Sequence, residues 1–96
     1  MDKKFRTKLR SMAQTIDAIG QVGKGGISEN QIESFKQALE KRELIKITVL
    51  NNSEETASEL STELASNLGA EVVCVIGHKV VLYKRSEKAG VKHIEL

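Results

Sequence analysis

The apolar residues among the first twenty positions recur at helical spacing. They are separated by four, three, four and three residues, at Phe5, Leu9, Met12, Ile16 and Ile19. A stripe with a period of about 3.6 residues predicts an amphipathic helix that packs one face against a core. Lysine and arginine occupy its other faces. Two interpretations of these charges stay open, an ordinary solvated face or a surface for a polyanion.

A glycine-rich segment follows this helix. Residues 19–22 are long enough only for a short strand, and residues 23–26 contain three glycines that predict a loop. The second helix begins at a strong signal, since Ser28 and Gln31 fit the S-x-x-Q capping box. Its predicted inner face and its basic last turn contain Ile32, Phe35, Ala38, Leu39, Lys41 and Arg42.

A strand and a third helix are predicted next. Residues 44–50 alternate between two sheet faces, with Leu44, Lys46, Thr48 and Leu50 on one of them. Residues 51–53 suit a turn and a helix N-cap, and the acidic pair at 54 and 55 favours a first helical turn. The helix would bury one stripe and stop at a glycine, with the residues Ala57, Leu60, Leu64, Ala65, Leu68 and Gly69.

The end of the chain predicts a β-hairpin and a tail. Residues 72–76 are β-branched except for Cys74, which is typical of a strand buried on both faces. Gly77 and His78, with or without the next residue, suit a tight type II′ turn. Residues 80–85 form the returning strand. Residues 86–96 show no clear period, and we expect a mobile C-terminal tail there.

The predicted element order is α-β-α-β-α-β-β. Helices that alternate with strands require crossover connections and parallel pairing, whereas the final hairpin is antiparallel. We therefore expect an α/β fold of the α+β, two-layer type, in which helices cover a four-stranded mixed sheet. Residues 1–85 would form this single domain. The order of the strands stays open.

Length and composition exclude several classes of protein. A chain of 96 residues suits one domain with one core. Its single cysteine cannot form an internal disulfide. The longest apolar run, residues 72–76, is far shorter than the roughly 20 residues that span a bilayer. No apolar stretch follows the basic N-terminus as it would in a signal peptide. We expect a cytoplasmic protein.

The net charge of +2 conceals a bipolar pattern. Residues 1–26 carry six basic and two acidic side chains, and residues 72–96 carry five basic and two acidic ones. Residues 27–71 carry only four basic side chains against nine acidic ones. A molecule of this kind can present a basic face to a polyanion and hold its acidic face away.

The chain shows no arrangement typical of catalysis. Cys74 lies within the most apolar strand, where a thiol behaves as a small hydrophobe. His78 and His93 have no further ligands at metal-binding spacing. Several acidic residues recur at one-turn spacing on helix exteriors, which indicates solvated faces rather than a catalytic carboxylate pair. We expect no enzymatic activity, no metal site and no cofactor.

The glycine loop is the one segment whose composition suggests a purpose beyond packing. Three glycines free the backbone of residues 23–26, Lys24 adds a charge, and a helix N-terminus follows at Ser28. The loop fits neither the P-loop nor the dinucleotide-binding pattern. A bare G-x-x-G is weak evidence, so a phosphate-contacting loop and a plain turn both stay open at this point.

Neighbouring charges favour a string of phosphates over a single nucleotide. We expect the loop, the basic first helix and the last strand, which ends in Lys84 and Arg85, to present their charges on one side of the molecule. KH modules also hold nucleic acid with a G-x-x-G loop, but theirs joins two helices, so this is not a KH fold. Phe5 and Phe35 belong to core stripes, and Tyr83 is either half-buried or the one stacking residue. With so few aromatics, structured RNA is the expected target.

Three blocks of the sequence resemble a known family. Residues 21–26 read QVGKGG, residues 42–47 read RELIKI, and residues 75–83 read VIGHKVVLY. Together they resemble the signature blocks of the CRM domain (chloroplast RNA splicing and ribosome maturation), in its stand-alone bacterial, YhbY-type form. The resemblance runs from about residue 3 to residue 85. It implies a fold similar to the C-terminal domain of translation initiation factor three.

The resemblance also implies RNA binding. Bacterial members of the family associate with precursors of the large ribosomal subunit, and plant relatives promote group II intron splicing. The family's G-x-x-G loop falls on residues 23–26, and its basic helix and charged segment fall on residues of the first helix and second strand. With the end of the last strand added, the candidate RNA-binding residues are Gly23, Lys24, Gly25, Gly26, Lys4, Arg6, Lys8, Arg10, Arg42, Lys46, Lys84 and Arg85.

The leading hypothesis is a monomeric RNA-binding protein that assists assembly of the large ribosomal subunit. A second hypothesis is an adaptor whose acidic helix faces bind a basic partner, with RNA contact incidental, through Glu54, Glu55, Glu59 and Glu63. A third is an enzyme or a sensor of a small nucleotide, which would be stabilised thermally by nucleotides. We expect no membrane partner and no small-molecule substrate.

Overall fold

The computed structural model describes residues 1–95 and contains three helices and four strands. The helices are α1 (Lys3–Ala13), α2 (Glu29–Arg42) and α3 (Ala57–Leu68). The strands are β1 (Gly20–Val22), β2 (Leu44–Val49), β3 (Glu71–Ile76) and β4 (Lys79–Tyr83). Their order along the chain is the predicted one. No helix of the described chain is long and apolar enough to cross a membrane.

The four strands form one mixed sheet in the order β1-β2-β4-β3. β1 runs parallel to β2, while β4 runs antiparallel to both of its neighbours. Consequently the carboxyl ends of β1, β2 and β3 lie at the same edge of the sheet. We call this edge, which also holds the β3–β4 hairpin turn, the loop end. The opposite edge, where β4 terminates, is the far end.

Helices cover both faces of the sheet. On one face α2 and α3 pack over a core that includes Phe35, Ile47 and Leu60. On the other face α1 packs over a smaller core through Leu9 and Ala13. The α+β class and the four-stranded mixed sheet are confirmed. The structure has three layers instead of the expected two, namely α1, the sheet, and the pair α2 and α3. The extra layer arises because alternate residues of each strand point to the second face, where their apolar side chains pack against α1.

The first helix ends earlier than its apolar stripe predicts. The stripe reaches Ile19, yet α1 stops at Ala13 and the chain turns there. The ammonium group of Lys46 donates to the carbonyl oxygens of Ala13 and Ile16, at 2.9 and 3.4 Å. These bonds satisfy carbonyl groups that a longer helix would have bonded internally. Ile16 and Ile19 still pack against the two cores, but from an irregular segment.

The predicted helix cap is present at α2, whereas α3 begins later in the chain than predicted. Ser28 and Gln31 form the predicted reciprocal capping box. At α3 the N-cap is Thr56, which forms a second capping box with Glu59. The expected start at residues 51–55 was therefore too early, because the residue with an extended backbone whose side chain caps the helix is Thr56. Gly69 ends α3 in the left-handed conformation, as predicted.

Residues 86–95 contain no helix or strand but contact the domain at defined points. The buried carboxylate of Glu43 accepts hydrogen bonds from the backbone N–H groups of Ser86 and Ile94, at 2.6 and 2.7 Å. Its Oε2 also lies 2.6 Å from Nδ1 of His93. The mobility predicted for residues 86–96 stays a prediction, and Leu96 lies outside the described residues. These contacts give the segment a preferred position on the domain.

Candidate functional site

The glycine loop forms a tight turn at the loop end of the sheet. The N–H of Gly26 donates to the carbonyl oxygen of Gly23 at 3.0 Å, and Lys24 and Gly25 form the exposed tip. Within the described chain, the N–H groups of Lys24 and Gly25 donate to no protein atom. The predicted exposure of backbone donors at this turn is therefore present, with a lysine side chain beside them.

The shape of this turn favours glycine at two of its three glycine positions. Gly26 has a φ of +73°, which is strained for any residue with a Cβ atom. A Cβ atom at Gly23 would lie 3.0 Å from Oδ1 of Asn52. Gly25 has neither restriction, since a Cβ atom there would meet nothing within 4 Å. A glycine at this third position therefore leaves the backbone open to close approach by a ligand.

The N-terminus of α2 is less available to an anion than its position suggests. The capping box uses the N–H of Gln31 and the N–H of Ser28 for bonds inside the protein. Glu29, in the first turn, already places a negative charge near the positive end of the helix dipole. The amide of Gln31 also donates to the carbonyl oxygen of Gln21 at 2.6 Å. The tip of the turn, rather than the helix end, is the accessible part.

Acidic residues border the turn on one side. Ser53, Glu54 and Glu55, which lead into α3, line a shallow cavity together with residues 23–26. Partial desolvation and the nearby carboxylate of Glu63 raise the pKa of Glu55. The α3 side of the loop end therefore carries negative charge.

The basic residues of α1 lie on the opposite sheet face from α2 and α3. The helix starts near β3, where the terminal ammonium lies 3.9 Å from the carboxylate of Glu71, and it ends near the middle of β2. Arg6 and Arg10 are exposed and close enough to Cys74 to oppose the increase that burial causes in its pKa. Lys4 is exposed as well. The ammonium of Lys8 instead donates to the backbone carbonyl of Glu95.

Three of the predicted site residues lie away from the turn. Lys84 and Arg85 follow β4 at the far end of the sheet, and Arg42 ends α2 at that same end. The Nζ of Lys84 is 3.5 Å from the carbonyl oxygen of Leu68, at the C-terminus of α3. The expectation that Lys84 and Arg85 converge with the turn on one side is wrong, because an antiparallel β4 ends at the edge opposite the turn. Their contact with RNA stays a prediction.

The ammonium group of Lys46 makes hydrogen bonds within the protein, at the end of α1 and just after it. The residue is half-buried, and its two backbone acceptors are the carbonyl oxygens of Ala13, the last residue of α1, and of Ile16, in the irregular segment that follows. Its predicted role in RNA contact stays a prediction. Its charge remains on the α1 face, where Lys46 and Arg10 both oppose the increase that burial causes in the pKa of Cys74.

A row of four residues across the sheet was missed by sequence reasoning. In the strand register Gln21 is opposite Thr48, Thr48 is opposite Lys79, and Lys79 is opposite Ile76. All four lie on the α1 face, since their neighbours Val22, Val49, Val80 and Val75 pack toward α2 and α3. We call this set the strand row. The alternation of β2 signalled Thr48, but only the register assembles the four residues.

The aromatic side chains considered as candidates pack within the domain, and the titratable ones form no metal-binding cluster among the described residues. The rings of Phe5 and Tyr83 pack edge to face, with centroids 5.1 Å apart, and Phe35 is buried. Tyr83 is thus held by packing rather than presented to a base. His78 is exposed in the hairpin turn. In the part of the chain that the structure describes, no three His, Cys, Asp or Glu side chains cluster to hold a metal ion.

This chain is similar to two relatives over most of their length, and a solved structure shares its fold. It is 44% identical over 88 residues to "Probable RNA-binding protein YqeI" of Bacillus subtilis (strain 168), an alignment that covers 92% of this chain and 90% of the relative. It is 28% identical over 92 residues to an "RNA-binding protein" of Haemophilus influenzae, with coverages of 96% and 93%. The solution structure of SAV1595 from Staphylococcus aureus superposes with a TM-score of 0.81 at 44% identity, over 100% of this chain and 98% of the other.

The family assignment follows from the same comparison. The CRS1 / YhbY (CRM) domain matches residues 1–84, which include α1, the turn and the complete sheet. The three sequence blocks that suggested this family occupy β1 and the turn, the start of β2, and the β3–β4 hairpin. Because this match covers most of the 96 residues, the chain belongs to the CRS1/YhbY (CRM) domain family.

Proposed function

We propose that this protein is an RNA-binding protein that contacts the sugar–phosphate backbone of structured RNA and assists assembly of the large ribosomal subunit. The observation that carries the proposal is the exposed tip of the turn, where the N–H groups of Lys24 and Gly25 have no acceptor within the described residues. Backbone N–H groups next to a lysine side chain suit a phosphate oxygen. The names of the relatives support RNA as the polyanion.

The α1 face supplies the charge that such a contact needs. Lys4, Arg6 and Arg10 are exposed on a helix that has no acidic residue in its first turn. Cations that neutralise RNA phosphates release condensed counterions, so each contact steepens the salt dependence of binding by about 0.7–0.9 log units per log unit of salt. With its aromatic side chains packed, this surface suits backbone and shape recognition better than base stacking.

The decisive experiment compares Lys24→Glu with the matched control Lys36→Glu. Lys36 is an exposed residue of α2, on the opposite side of the sheet from α1. Affinity for a labelled RNA stem-loop is measured by gel shift over a salt series. We expect Lys24→Glu to weaken binding and flatten the salt slope, with little change in melting temperature, and Lys36→Glu to have a much smaller effect. Equal affinity and slope for wild type and Lys24→Glu would contradict the turn as a binding element.

The ribosomal part of the proposal has a separate test. Crosslinking in cells followed by sequencing of the attached RNA is expected to recover large-subunit ribosomal RNA. Sedimentation of lysates is expected to place the protein with large-subunit precursors, and nuclease treatment is expected to release it. Association that survives nuclease would favour an adaptor that uses the acidic residues beside the turn, Glu54 and Glu55.

A further inference from the structure

We propose that the RNA backbone crosses the uncovered part of the α1-side sheet face, along the strand row, on its way from the turn to α1. This inference rests on the proposed function and adds to it a binding surface that includes Thr48, Lys79 and Ile76. The partner is double-stranded or stem-loop RNA, recognised through phosphate oxygens and ribose hydroxyls rather than through base identity.

The first argument is exposure. α1 packs against Leu44, Val81 and Cys74, which reach from the far end to the middle of the sheet. Toward the loop end the outer members of the strand row are open, since Gln21 is exposed and Ile76 retains 48% of its accessible surface, while Thr48 and Lys79 between them are half-buried. Four adjacent strands place the outer members of the strand row about 14 Å apart. The open area is a strip that crosses the strands.

The second argument is position. Along β2, Thr48 lies two residues beyond Lys46, which is about 7 Å at the rise of a strand. Leu50, one residue past the end of β2, donates its N–H to Val22 directly before the turn. The strand row therefore lies between the charges next to α1 and the turn. A backbone that contacted both would pass over it.

The third argument is chemical complementarity. The Nζ of Lys79 donates to Oγ1 of Thr48 at 2.7 Å, so a cation and a hydroxyl are held together at the centre of the strip. The strand row contains no acidic residue, and neither does the adjoining row of Lys46, Val81 and Cys74. The carboxylates near the turn lie on the other side, toward α3. A polyanion is thus attracted by the cations on the α1 side and repelled by the carboxylates on the α3 side.

The test uses two substitutions in the strip and one matched control. Lys79→Gln removes a charge but keeps a donor for Thr48, and Ile76→Glu adds an acid at an exposed position. Lys36→Gln removes the same charge from α2 on the other side of the sheet. Affinity of the full chain for a fluorescein-labelled RNA stem-loop, and for the DNA stem-loop of the same sequence, is measured by anisotropy over a salt series, with melting temperatures recorded in parallel.

The proposal predicts that Lys79→Gln weakens RNA binding about five-fold at 0.1 M salt and lowers the salt slope by about 0.7–0.9, the effect of one lost phosphate contact. Ile76→Glu is expected to weaken binding at least as much, and Ile76→Lys to strengthen it. Lys36→Gln should leave the affinity nearly unchanged, and wild type should bind the RNA stem-loop more tightly than the DNA one.

Two results would overturn the inference, and they differ in whether the proposed function fails with it. If Lys24→Glu weakens binding while Lys79→Gln and Ile76→Glu bind as wild type does, the strand row is not the path, and RNA binding through the turn stands. If none of these substitutions changes the affinity, the proposed function fails together with the inference. Ile76→Lys provides an independent readout, because a gain of affinity cannot arise from a damaged fold.

Discussion

The ammonium group of Lys46 donates to the carbonyl oxygen of Ala13 at 2.9 Å and so joins the second strand to the end of the first helix. The two residues are 33 positions apart in the chain. This bond explains why α1 stops although its apolar stripe continues. It also gives a structural task to a lysine that the family resemblance had assigned to RNA contact.

We expect Lys46→Met to destabilise the domain. The substitution keeps the aliphatic stem but leaves the carbonyl oxygens of Ala13 and Ile16 without their donor, at a cost of about 1–3 kcal/mol. Urea unfolding followed by circular dichroism would measure the change. Lys36→Met, at an exposed position of α2, is the control and should alter stability much less. Equal midpoints for both variants would show that the bonds of Lys46 contribute nothing to stability.

Two of the three glycines of the turn should respond differently to alanine. Gly26→Ala places a Cβ atom at a φ of +73° and is expected to cost about 1–2 kcal/mol. Gly25→Ala meets no atom within 4 Å and should leave the melting temperature unchanged. If Gly25→Ala nevertheless weakens RNA binding, the cause is obstruction of close approach. Similar melting temperatures for the two variants would contradict the described backbone of the turn.

Attachment of the C-terminal segment should depend on pH. Burial alone would raise the pKa of Glu43, but the hydrogen bonds from His93 and from the N–H groups of Ser86 and Ile94 outweigh it and lower that pKa. A lowered pKa means that the contact is complete above the ordinary glutamate pKa of 4.5 and weakens as the pH falls below it. The protection factors for hydrogen exchange at residues 86–94, which correct for the intrinsic pH dependence of amide exchange, are expected to fall at acid pH.

Glu43→Gln provides the matched test of that contact. It keeps the size of the side chain and removes the charge, so exchange at residues 86–94 should be fast already at neutral pH. The remaining pH dependence of the protection factors in this segment should then be small. Exchange that stays slow in Glu43→Gln would show that the charge of Glu43 does not hold the segment.

Replacement of Tyr83 should separate packing from base recognition. The edge-to-face contact with Phe5 contributes about 0.5–1.5 kcal/mol beyond the burial of area, so Tyr83→Leu should lower the unfolding free energy by about 1 kcal/mol. Because the ring is held against α1, the affinity for an RNA stem-loop is expected to stay within about two-fold of wild type, a difference of roughly 0.4 kcal/mol. A large loss of affinity with unchanged stability would instead identify Tyr83 as a stacking residue.

Local features of this protein could be predicted because they depend on neighbours in the chain. The Ser28 and Gln31 capping box, the stop at Gly69, the Gly77–His78 hairpin turn and the order of elements all follow from contacts within a few residues. The G-x-x-G turn belongs to the same class, since its hydrogen bond joins Gly23 to Gly26. Side-chain periodicity also identified the buried faces of α2 and α3.

Relationships between distant residues required the folded chain. The placement of α1 on the second face, the separation of Lys84 and Arg85 from the turn, and the contacts of Glu43 with residues 86–94 depend on strand order and direction. The strand row exists only because the register aligns four residues from four strands. Sequence determines which face of its own element a residue occupies. Which residues then become neighbours is decided when the hydrophobic faces pack together and set the register.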